Sequence, residues 1–250
     1  MSKNALIGYT GTIGKTLLEQ LEFDDTYNSE NIQSISGKSY SSLICAGLPA
    51  EKWKANKFPE VDEQNTLSLI KNLSNVSAER FILISTVDVY SDISNSDENS
   101  EIIESSLHAY GRNRFNFENY IRHNFNHNIL RIGGLVGKNI KKNILYDIKN
   151  FNMLENINKL DSFQYYPLDN LWNDIKVVIK NGLDLVNFTS EPIETSILID
   201  KYVEDNHDIK NKRNIKYDIR SINSDLFYGN KNYLYNREQI LNKIDEYLKL

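Results

Sequence analysis

Along the first two thirds of the chain, short apolar runs alternate with longer stretches in which apolar residues return at threes and fours. The short runs predict strands at residues 5–8, 26–28, 43–46, 81–85 and 129–132. The longer stretches predict helices at 13–21, 62–73, 109–123 and 139–149. Strands that alternate with helices in this way form a parallel sheet with helices on both faces. Between residues 28 and 43 the chain is polar, which leaves one strand-helix unit abbreviated. Beyond residue 149 the pattern loosens into asparagine-rich loops, with a helix at 168–181, a strand at 185–188, a helix from Glu194 and a last helix at 237–248 behind Asn236 as N-cap. The acidic stretch 92–104 reads as a solvated loop beyond a strand end.

The first strand runs straight into Gly8, and Gly11 and Gly14 follow at threes before an amphipathic helix. A dinucleotide pyrophosphate needs such a turn: glycines let backbone N–H groups approach its oxygens, and a helix start offers partial positive charge. Gly8, Thr10, Gly11, Thr12, Ile13 and Gly14 are therefore the candidate cradle. The fold class is α/β, a Rossmann-type doubly wound parallel sheet with a small C-terminal substrate lobe. Residues 1–150 are read as the dinucleotide-binding domain, and 151–250 as mostly the lobe with some segments returning to the core.

Composition narrows the possibilities. A formal charge of −5 offers no basic surface to nucleic acid, and no run is long and apolar enough to cross a bilayer. The single cysteine, Cys45, cannot form an internal disulfide, and the N-terminal stretch lacks a basic-then-apolar leader, so a cytoplasmic location is expected. The Asn-x-Ser/Thr sites at Asn72 and Asn187 are set aside for the same reason. His108, His123, His127 and His207 show no ligand spacing with Cys45 or carboxylates, so no metal is expected. Trp53 reads as a packing residue, and the Lys141-Lys142 pair as a solvated helix face.

The strand at 81–85 leads into Thr86, and Tyr110 follows 24 residues later on a helix that also carries Arg114. Four residues make about one turn, so Tyr110 and Arg114 share a face. A tyrosine that trades a proton with a carbinol oxygen, a hydroxyl that holds that oxygen, and a cation are what hydride transfer demands. A free phenol titrates near pH ~10, and bringing it to neutrality takes about 3 units, roughly 4 kcal/mol. A neighbouring positive charge supplies about one to three of those units. Arg114 is accordingly expected to favour the tyrosinate.

Together these strings resemble the extended short-chain dehydrogenase/reductases, the superfamily of nucleotide-sugar epimerases, dehydratases and ketoreductases. The resemblance covers most of the chain: the glycine loop; the segment ending Cys45, Ala46, Gly47; Asn65, read as opening a helix; Ser85 to Tyr90; the Tyr-x-x-x-Lys position at Tyr110; Arg131 to Gly137; Tyr165 to Ile175; and Asn187 to Thr195. It implies an NAD(P)-dependent oxidoreductase or epimerase acting on a nucleotide-activated sugar by hydride transfer at a ring carbon, C4. Tyr110, Thr86 and Arg114 would be catalytic. The glycine loop, Asn28, Ser29, Cys45, Ala46, Gly47, Asn65, Ser85 and Arg114 would hold the cofactor, and Val87, Asp88, Gly133, Gly134 and Trp172 the substrate. It also implies a homodimer through the helices at 62–73 and 109–123.

Three departures qualify that picture. Arg114 stands where the family has lysine, and Gly134 where it usually has a substrate-binding asparagine. No Asp or Glu closes the second strand to accept a ribose 2′-hydroxyl, which tilts the cofactor toward NADP. The alternatives are an NAD(P)-binding sensor or scaffold without turnover, or an interaction module with an empty pocket.

Overall fold

A computed structural model describes residues 3–203 and 214–249; His207 lies outside them. The elements run β1 Asn4–Ile7, α1 Thr12–Gln20, β2 Asp25–Tyr27, β3 Ser39–Cys45, α2 Lys52–Lys57, α3 Pro59–Leu73, β4 Ser77–Thr86, α4 Ala109–Asn124 and β5 His127–Ile132. They continue with β6 Gly134–Val136, α5 Ile144–Asn150, β7 Ser162–Phe163, β8 Tyr165–Pro167, α6 Leu171–Asn181, β9 Leu185–Phe188, β10 Ile193–Glu194, α7 Thr195–Tyr202 and α8 Arg237–Lys249.

Six strands form one parallel sheet in the order β2-β1-β3-β4-β5-β9, wrapped by helices in a Rossmann-type α/β fold. Ala5, Leu6 and Ile7, then Leu43, Ile44 and Cys45, then Phe81, Ile82 and Leu83, are all buried. Runs buried on both faces are what a sheet covered by helices requires. Ile7 pairs with Cys45, and Cys45 with Leu83, so the C-terminal ends of β1 and β3 lie level while β4 runs on past them to Thr86. The chain leaves β1 for β2 on one side and then crosses to β3 on the other. Ligands of open α/β sheets bind at the strand ends beside such a reversal.

The abbreviated unit is real: a single 3-10 turn, Ile32–Ile35, joins β2 to β3, with both isoleucines buried. Beside it the hydroxyls of Tyr27 and Tyr40 meet at 2.6 Å, and Lys38 and Asp25 complete the cluster.

Two compact units emerge. The first comprises residues up to Ser91, Ser100–Arg131 and Leu171–Val186; the second comprises Asp92–Asn99, Ile132–Asn170 and the residues from Asn187 onward. The boundary therefore falls at Arg131, earlier than the expected residue 150, and the returning segment is α6 with the start of β9. Within the second unit α8 packs on β6, β8 and α5, and Tyr166 stacks on Phe188 at 5.0 Å.

The acidic stretch is a largely exposed loop, as expected, but Glu98 within it is tied down. Glu98 accepts Ser221 Oγ at 2.5 Å, the Asn187 N–H at 2.8 Å and the Ile222 N–H at 2.9 Å. A carboxylate with three donors is an anchor, because it takes up backbone groups that burial would otherwise leave unpaired. Among the described residues no helix is long and apolar enough to cross a membrane.

Candidate functional site

The three glycines of the first loop have different jobs. Gly8 sits at φ +88°, donates its N–H to the Tyr27 carbonyl at 2.7 Å, and a Cβ there would lie 2.3 Å from the Ala46 oxygen. A Cβ on Gly14 would lie 2.1 Å from the Gly8 oxygen. Both must be glycine for the chain to close on itself. Gly11 is exposed, and a Cβ on it would meet only the Gly8 oxygen, at an ordinary 3.4 Å. Nothing in the protein demands a glycine there. A pyrophosphate that must come close to the backbone does. Gly11 is also the N-cap of α1 and makes no side-chain capping bond, Thr10 is exposed, and Thr12 and Ile13 are half-buried. These residues fit a dinucleotide: a tight turn, an open approach and a helix start.

Other expected cofactor residues fare differently. Ala46 and Gly47 are half-buried at the end of β3 beside Gly8. The Cys45 side chain instead belongs to the hydrophobic core, and burial pushes its thiol up to about 12 even though the Gly47 N–H hydrogen-bonds to it. It is an inert packing group, because alternation along β3 turns it inward. Asn28 follows β2, its Oδ1 accepting the N–H groups of Glu30 at 2.9 Å and Asn31 at 3.3 Å; Ser29 is exposed beside it. Asn65 does not open a helix. Proline at the first helical position and Glu60 and Asp62 in the first turn start α3 earlier, leaving Asn65 exposed in mid-helix.

Thr86 and Tyr110 come together as expected. Thr86 ends β4, its Oγ1 accepts the Asp88 N–H at 3.1 Å, and its hydroxyl is hydrogen-bonded to the Tyr110 phenol. Tyr110 is buried in the first turn of α4, and its own N–H is held by Asn56 Oδ1 at 3.0 Å. Burial raises the phenol pKa above its ordinary value; Arg114 and the Thr86 hydrogen bond oppose the rise, while Asp88 and Asp62 add to it. Arg114 thus favours the tyrosinate, as expected, but desolvation outweighs it, so the net shift is upward and Tyr110 is a protonated phenol at neutral pH.

The cofactor-contacting role of Arg114 is corrected. Its guanidinium lies over the Tyr110 ring, 4.0 Å from the centroid. Its Nη1 donates to Asp62 and to the Tyr110 carbonyl, and its Nη2 to the Pro49 carbonyl. Directed inward and 4 % exposed, it does not reach toward a cofactor ribose.

Around this pair, Asp88 is bridged to Lys52 at 2.6 Å, and Val87 is buried, so its side chain serves packing. Ser85 donates to Glu118 at 2.5 Å, joining a buried Glu118–Arg131 ion pair behind the strand. Trp172 is half-buried near the start of α6, and its backbone N–H is bound by the side chain of Gln20, the last residue of α1. In the second unit, Gly134 is exposed and a Cβ on it would lie 2.8 Å from the Gln164 oxygen, which accounts for the absence of asparagine there; Gly133 donates to the Phe188 carbonyl at 3.5 Å. Lys141 and Lys142 are exposed.

His108 caps α4: its Nδ1 accepts the Gly111 N–H at 3.1 Å. Burial, then the Lys52 charge, holds its pKa below the ordinary value, with Asp88 opposing and Arg114 adding to the depression. Protonation would convert the acceptor into a donor and break the cap. Because the native pKa is the lower one, the stability this cap contributes is complete above the unfolded value of about 6.5 and is lost as pH falls through it toward the native pKa. Urea unfolding at pH 8 and pH 5 is expected to show a larger loss for the wild type than for His108→Asn, a cap that does not titrate.

Sequence reasoning missed Asp62, Lys52, Asn56 and Glu118. Glu118 was findable: it continues the inward stripe Tyr110, Arg114, Phe117, Ile121 on α4, and Arg131 interrupts an apolar strand opposite it.

No protein-family model matches the sequence, and no curated protein matches it as a relative. Solved structures match along their whole length. A dTDP-4-dehydrorhamnose reductase from Yersinia enterocolitica is 13% identical with a TM-score of 0.72, covering 100% of this chain and 99% of that one. A UDP-N-acetylglucosamine 4-epimerase from Methanobrevibacter ruminantium M1, in complex with UDP-N-acetylmuramic acid, is 14% identical with a TM-score of 0.73, covering 99% and 97%. A dTDP-glucose 4,6-dehydratase from Streptomyces venezuelae, a double mutant with NAD bound, is 13% identical with a TM-score of 0.74, covering 99% and 97%. At such identity the likeness shows a shared fold.

Proposed function

We propose that the chain is a member of the extended short-chain dehydrogenase/reductases, an NAD(P)-dependent oxidoreductase or epimerase acting on a nucleotide-activated sugar at a ring carbon, C4. The observation that carries this reading is Gly11, a glycine the protein's own packing does not need, set between two that it does. The Thr86–Tyr110 pair on β4 and α4 of the same unit supports it, as does the sharing of the fold by a reductase, an epimerase and a dehydratase of nucleotide sugars. NADP is the favoured cofactor, since β2 ends at Tyr27 and is followed by Asn28 and Ser29, with no carboxylate there for a 2′-hydroxyl.

The cofactor, when bound by the loop from Gly8 to Gly14, supplies hydride chemistry. Tyr110 brings a protonated phenol, suited to giving its proton to a sugar oxygen in the reductive direction. Thr86 supports that phenol through a hydrogen bond that opposes the rise in its pKa, while its Oγ1 accepts the Asp88 N–H. A homodimer through α3 and α4 belongs to the same reading, with light scattering as its check.

Titration with NADPH and NADH, followed by nicotinamide fluorescence, tests the reading. Gly11→Val is expected to melt within a few degrees of the wild type while losing at least about tenfold in dinucleotide affinity, because the added side chain holds phosphate off the backbone. Gly14→Val is expected to lose both. A Gly11→Val chain that binds as well as wild type, or a wild type that binds neither dinucleotide, ends the proposal. The sealed Arg114 favours a second reading, a sensor that binds the dinucleotide without turnover; a panel of nucleotide-4-ketosugars separates the two.

A further inference from the structure

Arg114 has no room to be what its position in the resemblance implies. Its donors go to Asp62, the Pro49 carbonyl and the Tyr110 carbonyl, and both members of the ion pair are almost completely buried, at 4 % and 5 % side-chain exposure. Asp62 Oδ2 also accepts the Asn113 amide at 2.8 Å, so one carboxylate on α3 grips two consecutive residues of α4. Turning Arg114 toward a ligand would strand that carboxylate without its counter-charge in the interior. A planar guanidinium lays a flat face on a ring while its edge carries donors to separated acceptors; a lysine ammonium is a compact point charge without that face.

We propose that Asp62 is a positioning residue, which locks Arg114 as a platform beneath the Tyr110 ring and so holds the phenol against Thr86, and that Arg114 is a member of this clamp instead of a cofactor ligand. The proposal rests on the dehydrogenase reading for its catalytic consequence, though not for its geometry. The clamp spans three segments: the loop after β3 through Pro49, α3 through Asp62, and the first turns of α4. The groups facing Tyr110 are Thr86, Asp88, Arg114 and Asp62, with the His108 ring 6.2 Å away. Two of them oppose each other across the clamp, the guanidinium lowering the phenol pKa and the Asp62 carboxylate raising it.

Arg114→Gln, Asp62→Asn and Arg114→Lys test the clamp in the full chain. Each is expected to keep NADPH affinity within about twofold of wild type and to lose about tenfold or more in kcat, with lysine failing to rescue despite restoring the family's residue. A tenfold rise in NADPH Kd for Arg114→Gln, with Asp62→Asn unchanged, overturns the proposal by making Arg114 a ligand.

A second arm needs no cofactor. In chain labelled with ¹³Cζ-tyrosine, the Tyr110 signal is the one missing from Tyr110→Phe. Asp62→Asn, which keeps an oxygen for both donors but removes the counter-charge of Arg114, is expected to lower the pH at which that signal titrates, and Arg114→Gln to raise it, each read in chain whose remaining tyrosine signals keep their wild-type positions. Shifts of the same sign, or none, overturn the clamp. Opposite shifts in a chain that binds no dinucleotide uphold the clamp and refute the function proposed above.

Discussion

Replacing Glu118 with alanine is expected to cost the fold about 3–5 kcal/mol, the range for breaking one side of a buried ion pair. Glu118 is fully buried on α4 and gathers four donors: Arg131 Nε at 3.0 Å, Arg131 Nη2 at 2.6 Å, Ser85 Oγ at 2.5 Å and Arg122 Nη2 at 3.4 Å. Removing the carboxylate leaves the Arg131 guanidinium, 2 % exposed, as an uncompensated charge on β5. Its remaining neighbours, including the Tyr90 ring 4.8 Å from the guanidinium carbon, cannot neutralise it. Natural domains are stable by about 5–15 kcal/mol, so the loss is a large share of the total. Urea unfolding should show a lower midpoint with an unchanged slope. The double change Glu118→Leu with Arg131→Met should be milder than the single one, since it strands no charge. A single change costing below about 1 kcal/mol would show that solvent reaches the pair and that the bolt between α4 and the sheet lies elsewhere.

This bolt explains why some of the protein could be read from its sequence and some could not. The β1-loop-α1 start, the buried strands and the Thr86–Tyr110 pair were legible because each depends on local period or on a strand end followed by a helix start. Gly8 and Gly14 were legible because close backbone approach excludes other residues. Asp62 was not: it meets Arg114 across 52 positions, and nothing local to either residue marks the other. The Glu98 anchor reaches Ser221 across 123 positions, so nothing in the acidic run marked it. Strands as short as β7 and β10, two residues each, have no period to detect. Asn65 was misjudged for a different reason: it was placed by motif likeness, and helix starts shift without changing the motif. The weight given to Arg114 against burial was inferred from spacing, and its ribose-binding role from the resemblance. Spacing fixes which face a residue occupies; burial fixes what charge it can hold.

Tyr110→Phe is expected to lower kcat by about 10²- to 10⁴-fold, the usual contribution of one positioned acid or base. NADPH affinity should hold, because no glycine-loop contact passes through the phenol. The fold should hold as well, since the phenylalanine ring offers Arg114 the same face that the tyrosine ring does at 4.0 Å. What is lost is one oxygen. The Thr86 hydroxyl then keeps the Asp88 N–H and loses its phenol partner, a cost of about 1–3 kcal/mol for a buried polar group. Thr86→Val separates the two roles: it leaves the proton donor in place but unfixed, so its kcat should fall less than that of Tyr110→Phe. The two changes share one hydrogen bond, so their combined effect should be smaller than the product of the single ones. Equal turnover by Tyr110→Phe and wild type would place the acid elsewhere, with His108, whose pKa responds to Asp88 and Lys52, the next group to replace.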